Sequence, residues 1–203
     1  MNFYIFENTK DTNFYPISAT RSAVDIRVGT DTFLDRIKKL VSSEDKILLF
    51  VREKIAELTR ECHPEIEVNP QEVTKGIWLA GNVFWTSDLL KKLKRSSEFE
   101  WVNENRTVAY NLSESAGKSW LKQGGPIHNK FSGKIESGNL FCDSACYLWD
   151  IIDRIPKTLD EEIGGYEPNF KITSDPQTVR IIGRNKIHVN DTAQIEPFVV
   201  MNA

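Results

Sequence analysis

Nowhere does the chain hold an apolar run near the ~20 residues that a membrane-crossing helix needs. Its first ten residues, MNFYIFENTK, lack the basic segment and apolar stretch of a secretory signal. Cysteine is scarce: Cys62, Cys142 and Cys146 are the only three, too few and too uneven for a disulfide framework. A reducing cytoplasm is therefore the expected compartment. Positive charge is not in surplus either, with a formal net charge of −3, so nucleic acid is not an expected partner. The three histidines, His63, His128 and His188, are scattered without ligand spacing. No Ser-His-Asp or Cys-His arrangement can be assembled. Gly124-Gly125 has neither the preceding strand nor the following Lys-Ser/Thr of a phosphate loop.

What is present reads as a globular chain. Hydrophobic residues make up 40% and charged residues 27% of 203, enough for one domain of ordinary size and a short appendage. Phe3-Tyr4-Ile5-Phe6, Ile47-Leu48-Leu49-Phe50-Val51 and Ile77-Trp78-Leu79-Ala80 are short apolar runs that predict buried strands. Between and after them, helical spacing appears in Phe33, Leu34, Ile37 and Leu40, in Ile55, Leu58 and Cys62, and in Leu89, Leu90 and Leu93. Strand alternating with helix predicts an α/β fold with a Rossmann-like, mainly parallel sheet. Beyond it, Phe99–Trp101 and Val108–Tyr110 predict a hairpin turning at Asn103-Glu104-Asn105. Ser113–Lys122 predicts a helix, 126–139 a loop, and Tyr147–Ile155 a helix ended by Pro156. Trp78, Trp101, Trp120 and Trp149 sit in apolar patterns and are expected in the core.

The last segment differs. In IHVNDTAQIEPFVV, Ile187, Ala193, Ile195 and Val199 approach a six-residue recurrence. That is the spacing of a left-handed β-helix, whose coils need stacked neighbours to bury their inner faces. An ordinary terminal hairpin is the alternative. The expected organisation is a domain over 1–155, a linker over 156–178 and the start of a β-helix over 179–203, cut from a longer protein that would continue after Ala203.

Four stretches, in order, resemble the sugar nucleotidyltransferases that join a nucleotidyltransferase-like domain to hexapeptide repeats, relatives of the bifunctional acetylglucosamine-1-phosphate uridylyltransferases. They are FYPISATRSAVDIRVGTDTFLDRI (14–37), with Pro16, Thr20-Arg21 and Ile26-Arg27-Val28-Gly29; IWLAGNVFWTSDLLKKL (77–93); RTVAYNLSE (106–114), similar to a strand ending at a substrate-facing loop; and YLWDIIDRIPKTLDEEI (147–163). The sequence departs from the family at three places. Glu7–Asn13 contains no glycine where a glycine-rich loop is usual, Ser22 replaces a proline, and Asn82 stands where a magnesium-binding Asp would fall.

The resemblance implies nucleotidyl transfer from a nucleoside triphosphate to a sugar phosphate with Mg²⁺, and trimerisation through the missing repeats. Such chemistry needs cations and backbone donors beyond strand C-termini, where open α/β sheets bind ligands. Arg21 and Arg27 are the candidate catalytic and phosphate-gripping residues, since a guanidinium meets phosphate oxygens in a bidentate fork. The alternative for each is a surface charge or an ion pair with Asp25 or Asp31. Lys10 is a further phosphate candidate, or a solvated loop lysine. Gly81-Asn82 follows a strand and could meet a sugar hydroxyl; the alternative is a tight turn. Against the enzymatic reading stand a non-catalytic sugar-nucleotide binder with a decayed site and a structural cap on the β-helix.

Overall fold

The computed structural model describes residues 1–7, 11–94, 98–163, 178–183, 187–190 and 192–202. The elements run β1 (Asn2–Phe6), β2 (Arg27–Val28), β3 (Asp31–Thr32), α1 (Phe33–Leu40), β4 (Lys46–Phe50), α2 (Glu53–Cys62), β5 (Glu67–Val68), β6 (Gly76–Ala80), α3 (Ser87–Lys94), β7 (Phe99–Asn103), β8 (Arg106–Leu112), α4 (Glu114–Lys122), α5 (Gly125–His128), β9 (Glu136–Asn139), α6 (Leu148–Ile163), β10 (Arg180–Ile182) and β11 (Val200–Asn202). The chain divides into two compact units, Met1–Pro156 and Lys157–Ala203.

In the first unit a seven-stranded sheet has the order β5-β4-β1-β6-β8-β7-β9. β1 pairs in parallel with β4 on one side and β6 on the other. The chain moves outward from β1 through β4 to β5, then returns to β6 on the opposite flank of β1. That reversal opens a crevice beyond the C-terminal end of β1, the place where such sheets take ligands. β8 runs antiparallel to β6, so its first residues, not its last, lie at this end.

The strands form because their residues are wanted on both faces. Tyr4, Phe6, Trp78 and Tyr110 belong to one aromatic group, with Trp78 stacked on Tyr4 at 4.4 Å and Trp120 of α4 set 5.1 Å from Trp78. Phe3, Ile5, Leu49, Ile77 and Leu79 are fully or almost fully buried, which matches strands covered by helices on each side. Gly76 is required by close approach: a Cβ there would lie 2.6 Å from both the Asn2 carbonyl and the Tyr4 ring. Thr32 opens α1 with a reciprocal capping box to Asp35, satisfying two orphan donors at once. The β7–β8 hairpin turns through Glu104 (φ 46°) and Asn105 (φ 67°), the two positive angles that a two-residue type I′ turn demands.

Three sequence expectations change. The stretch 126–139 is not all loop, because Glu136–Asn139 forms β9, parallel to β7. Pro156 does not end α6, which continues to Ile163; residues 156–163 are therefore helix rather than linker, and 164–177 lie outside the described residues. Trp149 is 59% exposed and not a core residue. In the second unit no hexapeptide β-helix is seen among the described residues. β10 and β11 pair in parallel, Arg180 opposite Val200, and β10 is exposed throughout. One pair of short strands encloses no stacked interior. No helix among the described residues is long and apolar enough to cross a membrane.

Candidate active site

A cleft of about 550 Å³ lies at the strand-order reversal. Phe6 and Glu7 reach it from the end of β1, Arg106, Thr107 and Tyr110 from β8, Trp120 from α4, and Pro126–Lys130 from α5 and its exit; Asn13 and Tyr147 also border it. Its inner wall is aromatic: Phe6, Tyr110 and Trp120 are almost wholly buried, with Tyr110 and Trp120 ring centroids 5.0 Å apart. Burial pushes the Tyr110 phenol above its ordinary pKa, against the smaller opposing pull of a hydrogen bond with Thr107. A register shift between Trp101 and Val102 on β7 marks a bulge at the cleft end of the hairpin, a common device beside binding sites.

Two cationic side chains, Arg106 and Lys130, border the cleft together with the imidazole of His128, all exposed. Among the described residues none of the three side chains meets a carboxylate or a hydrogen-bond acceptor. The charge of Arg106 and Lys130 is uncommitted, and like charges gathered at a concave surface draw anions. An adjoining cleft of about 160 Å³ shares Pro126, Ile127 and His128 and is otherwise bordered by residues such as Asn69 and Gln71 at the ends of β4 and β5.

The carboxylate in the larger cleft, Glu7, is fully used. It is 6% exposed. Its Oε1 accepts the Ala23 N–H at 2.8 Å and its Oε2 accepts the Arg52 N–H at 2.8 Å. Arg52 Nε lies 3.2 Å from Oε2. The Arg52 guanidinium also donates to the carbonyls of Ser18 and Arg21 at 2.8 and 3.2 Å. Two backbone donors and a guanidinium around one anion make the kind of nest that elsewhere cradles phosphate; here a side chain of the protein fills it.

A family profile described as sugar nucleotidyl transferase matches residues 3–167. The chain belongs to this family. The solved structure of 4-diphosphocytidyl-2C-methyl-D-erythritol synthase from Anaerococcus prevotii is similar over 78% of this chain and 96% of that one, at 10% identity and a TM-score of 0.45. No curated protein matches the sequence.

For a sugar nucleotidyl transferase the sequence pointed to residues that the fold distributes differently. Arg21 is exposed, and its carbonyl, not its side chain, is held by Arg52. Arg27 donates to the Thr30 carbonyl within its own turn. Neither lines either cleft. Lys10 lies outside the described residues. Gly81 serves packing: a Cβ there would lie 2.4 Å from Val24 Cγ1. Asn82 is 4% exposed; its Nδ2 donates to the Ala145 carbonyl at 2.6 Å and its own carbonyl accepts the Ala145 N–H at 2.9 Å. It clamps the segment before α6 to the end of β6.

Sequence reasoning missed Glu7, Arg106, His128 and Lys130. Arg106 was within reach, as it opens a stretch already matched to the family. The resemblance placed the substrate-facing loop after this strand, whereas β8 runs antiparallel to β6 and brings its first residue to the cleft.

The donor set does not suit a resident Mg²⁺. That ion prefers carboxylate oxygens in octahedral array. Asn82 offers a single neutral amide oxygen, buried and without a hydrogen-bond partner among the described residues, in place of a carboxylate, and both Glu7 oxygens are taken. Among the described residues no group of three or more His, Cys, Asp or Glu is placed to hold a metal.

Proposed function

We propose that this chain transfers a nucleotidyl group from a nucleoside triphosphate to a sugar 1-phosphate, releasing pyrophosphate, and that the cleft beyond β1 receives the triphosphate. The observation that carries the reading is the convergence of Arg106, His128 and Lys130, uncommitted among the described residues, on one cleft. A phosphate oxygen of the sugar attacks the α-phosphorus in line. The bond to the bridging oxygen breaks, and pyrophosphate leaves with the electron pair. Such a transition state needs positioning and charge stabilisation more than covalent help. Arg106 and Lys130 supply fixed positive charge to the polyphosphate, and the buried aromatic wall excludes water behind it, which strengthens those interactions. In this proposal Mg²⁺ arrives as the counter-ion of the triphosphate rather than as an ion held by the protein. Arg21, exposed beside the Arg52–Glu7 contact, remains a proposed outer phosphate contact; Lys10 is another. The cytoplasm, which holds the substrates, is the proposed compartment.

The test is a thermal-shift series with nucleoside triphosphates, with and without Mg²⁺, followed by pyrophosphate detection with sugar 1-phosphates. Stabilisation that is lost in Arg106→Ala supports the reading; no stabilisation by any nucleotide overturns it. Binding without pyrophosphate from any sugar phosphate favours a second reading, a non-catalytic sugar-nucleotide binder. The neutral amide of Asn82 and the fully used carboxylate of Glu7 speak for that alternative. A proposed trimer through hexapeptide repeats in the full protein is tested by sedimentation of that protein.

A further inference from the structure

Tyr147 and Trp149 lie in the first unit, and their rings stack 4.5 Å apart at an interplanar angle of 10°. They are 37% and 59% exposed, and Tyr147 borders the cleft that holds Arg106, His128 and Lys130. Large aromatic rings kept in water at the mouth of a cationic cleft are poorly explained by packing, since their burial would be favourable.

The backbone that carries the Tyr147 ring is held in place. Asp150, three residues on, accepts the N–H of Cys146 at 2.7 Å and of Tyr147 at 2.8 Å, so the first turn of α6 is closed by an acidic residue as in a capping box. Asn13 Nδ2 donates to the Cys146 carbonyl at 3.0 Å, and Asn82 grips Ala145. Trp149 then backs Tyr147 on one face. A ring fixed in this way loses little freedom when a ligand settles on it.

We propose that Tyr147, backed by Trp149, is the platform on which the nucleobase of the bound nucleotide stacks. This rests on the reading of the cleft as the triphosphate site. Stacking accepts any base, because every base has a π-face. The platform thus predicts broad base tolerance with a preference for the larger purine ring.

The experiment measures dissociation constants of ATP, UTP and inorganic tripolyphosphate for the native chain and for Tyr147→Ala, Tyr147→Phe and Trp149→Ala. Native chain binds ATP roughly tenfold more tightly than tripolyphosphate, as base stacking on one aromatic would give. Tyr147→Ala removes that advantage and leaves tripolyphosphate binding unchanged; Tyr147→Phe keeps it, and Trp149→Ala reduces it. ATP quenches tryptophan emission more strongly in the native chain than in Trp149→Ala, where Trp120 of the cleft wall remains. A ratio of ATP to tripolyphosphate affinity unchanged in Tyr147→Ala, or an equal loss for both ligands, overturns the platform while leaving the polyanion site standing. Failure of every phosphate ligand to bind the native chain overturns both. Melting temperatures of the variants close to native, expected for exposed rings, confirm that the comparison is between folded proteins.

Discussion

Arg52 sits with its Nε 3.2 Å from Glu7 Oε2, and the two side chains together tie the ends of β1 and β4 to the segment 18–23. Glu7 is nearly buried and Arg52 largely so. Such a pair is costly to break from one side, because the charge left behind has no partner.

Glu7→Ala is therefore expected to destabilise the first unit by roughly 3 kcal/mol or more. The Ala23 and Arg52 N–H groups would lose their acceptor as well. Urea unfolding should show a lower midpoint with an unchanged slope. Phosphate should restore part of the lost stability by entering the emptied nest, a gain larger than any it gives the native chain.

Gly81→Ala should cost on the order of 1–3 kcal/mol through overpacking, because its Cβ would meet Val24 Cγ1 at 2.4 Å. Val24→Ala in the same chain makes room. The double variant should be more stable than the sum of the two single losses, a coupling expected only for residues in contact. Additive losses would show that Gly81 does not act through Val24.

Asn82→Asp tests whether the site merely lacks its metal ligand. The carboxylate cannot donate to the Ala145 carbonyl, which lies 2.6 Å from Asn82 Nδ2. Two acceptors would face each other in a buried place, costing roughly 2 kcal/mol or more. The expected result is a lower melting temperature with no Mg²⁺-dependent recovery. Recovery on addition of Mg²⁺ would show that the position is a dormant metal site.

Cys142 is half-buried, and burial, reinforced by Asp143 and Glu104, raises its thiol from 9.0 to about 11. The folded chain thus holds this proton more tightly than the unfolded chain. The associated stability is complete below the ordinary thiol value and is lost as pH climbs from 9.0 towards 11. At about pH 8, iodoacetamide should modify exposed Cys62 well before Cys142, since only the thiolate reacts. Peptide mass mapping across a pH series reads the order directly.

Much of the sheet was legible in the sequence. β1, β4 and β6 are apolar on both faces and sit between helical patterns, which leaves few options other than a covered parallel sheet. The hairpin announced itself through Asn103-Glu104-Asn105. β9 gave no signal, because Glu136–Asn139 is a polar edge strand with no apolar alternation. The six-residue recurrence near the end is shared by any short strand with a turn, so it could not distinguish a coil from a lone pair of strands. The cleft was harder still. Its cations, Arg106 and Lys130, come from the start of an antiparallel strand and from the segment just after a four-residue helix, and only three-dimensional pairing brings these beside Phe6. Arg21 and Arg27 drew notice through sequence proximity to β1, yet the chain between them folds into short turns fixed by backbone carbonyls.

The rim of the cleft is assembled from distant chain. Asn13 reaches Cys146, Asn82 reaches Ala145 and Asn103 reaches the Cys142 carbonyl. Three asparagines laid down early in synthesis wait for one late segment, so the sheet can acquire its interior before the mouth exists. Long-range closure of this kind comes last and slowest. The ring of Tyr147 would then reach the cleft in a final docking event, and a nascent chain stopped short of that segment would own Arg106 and Lys130 without the aromatic edge beside them.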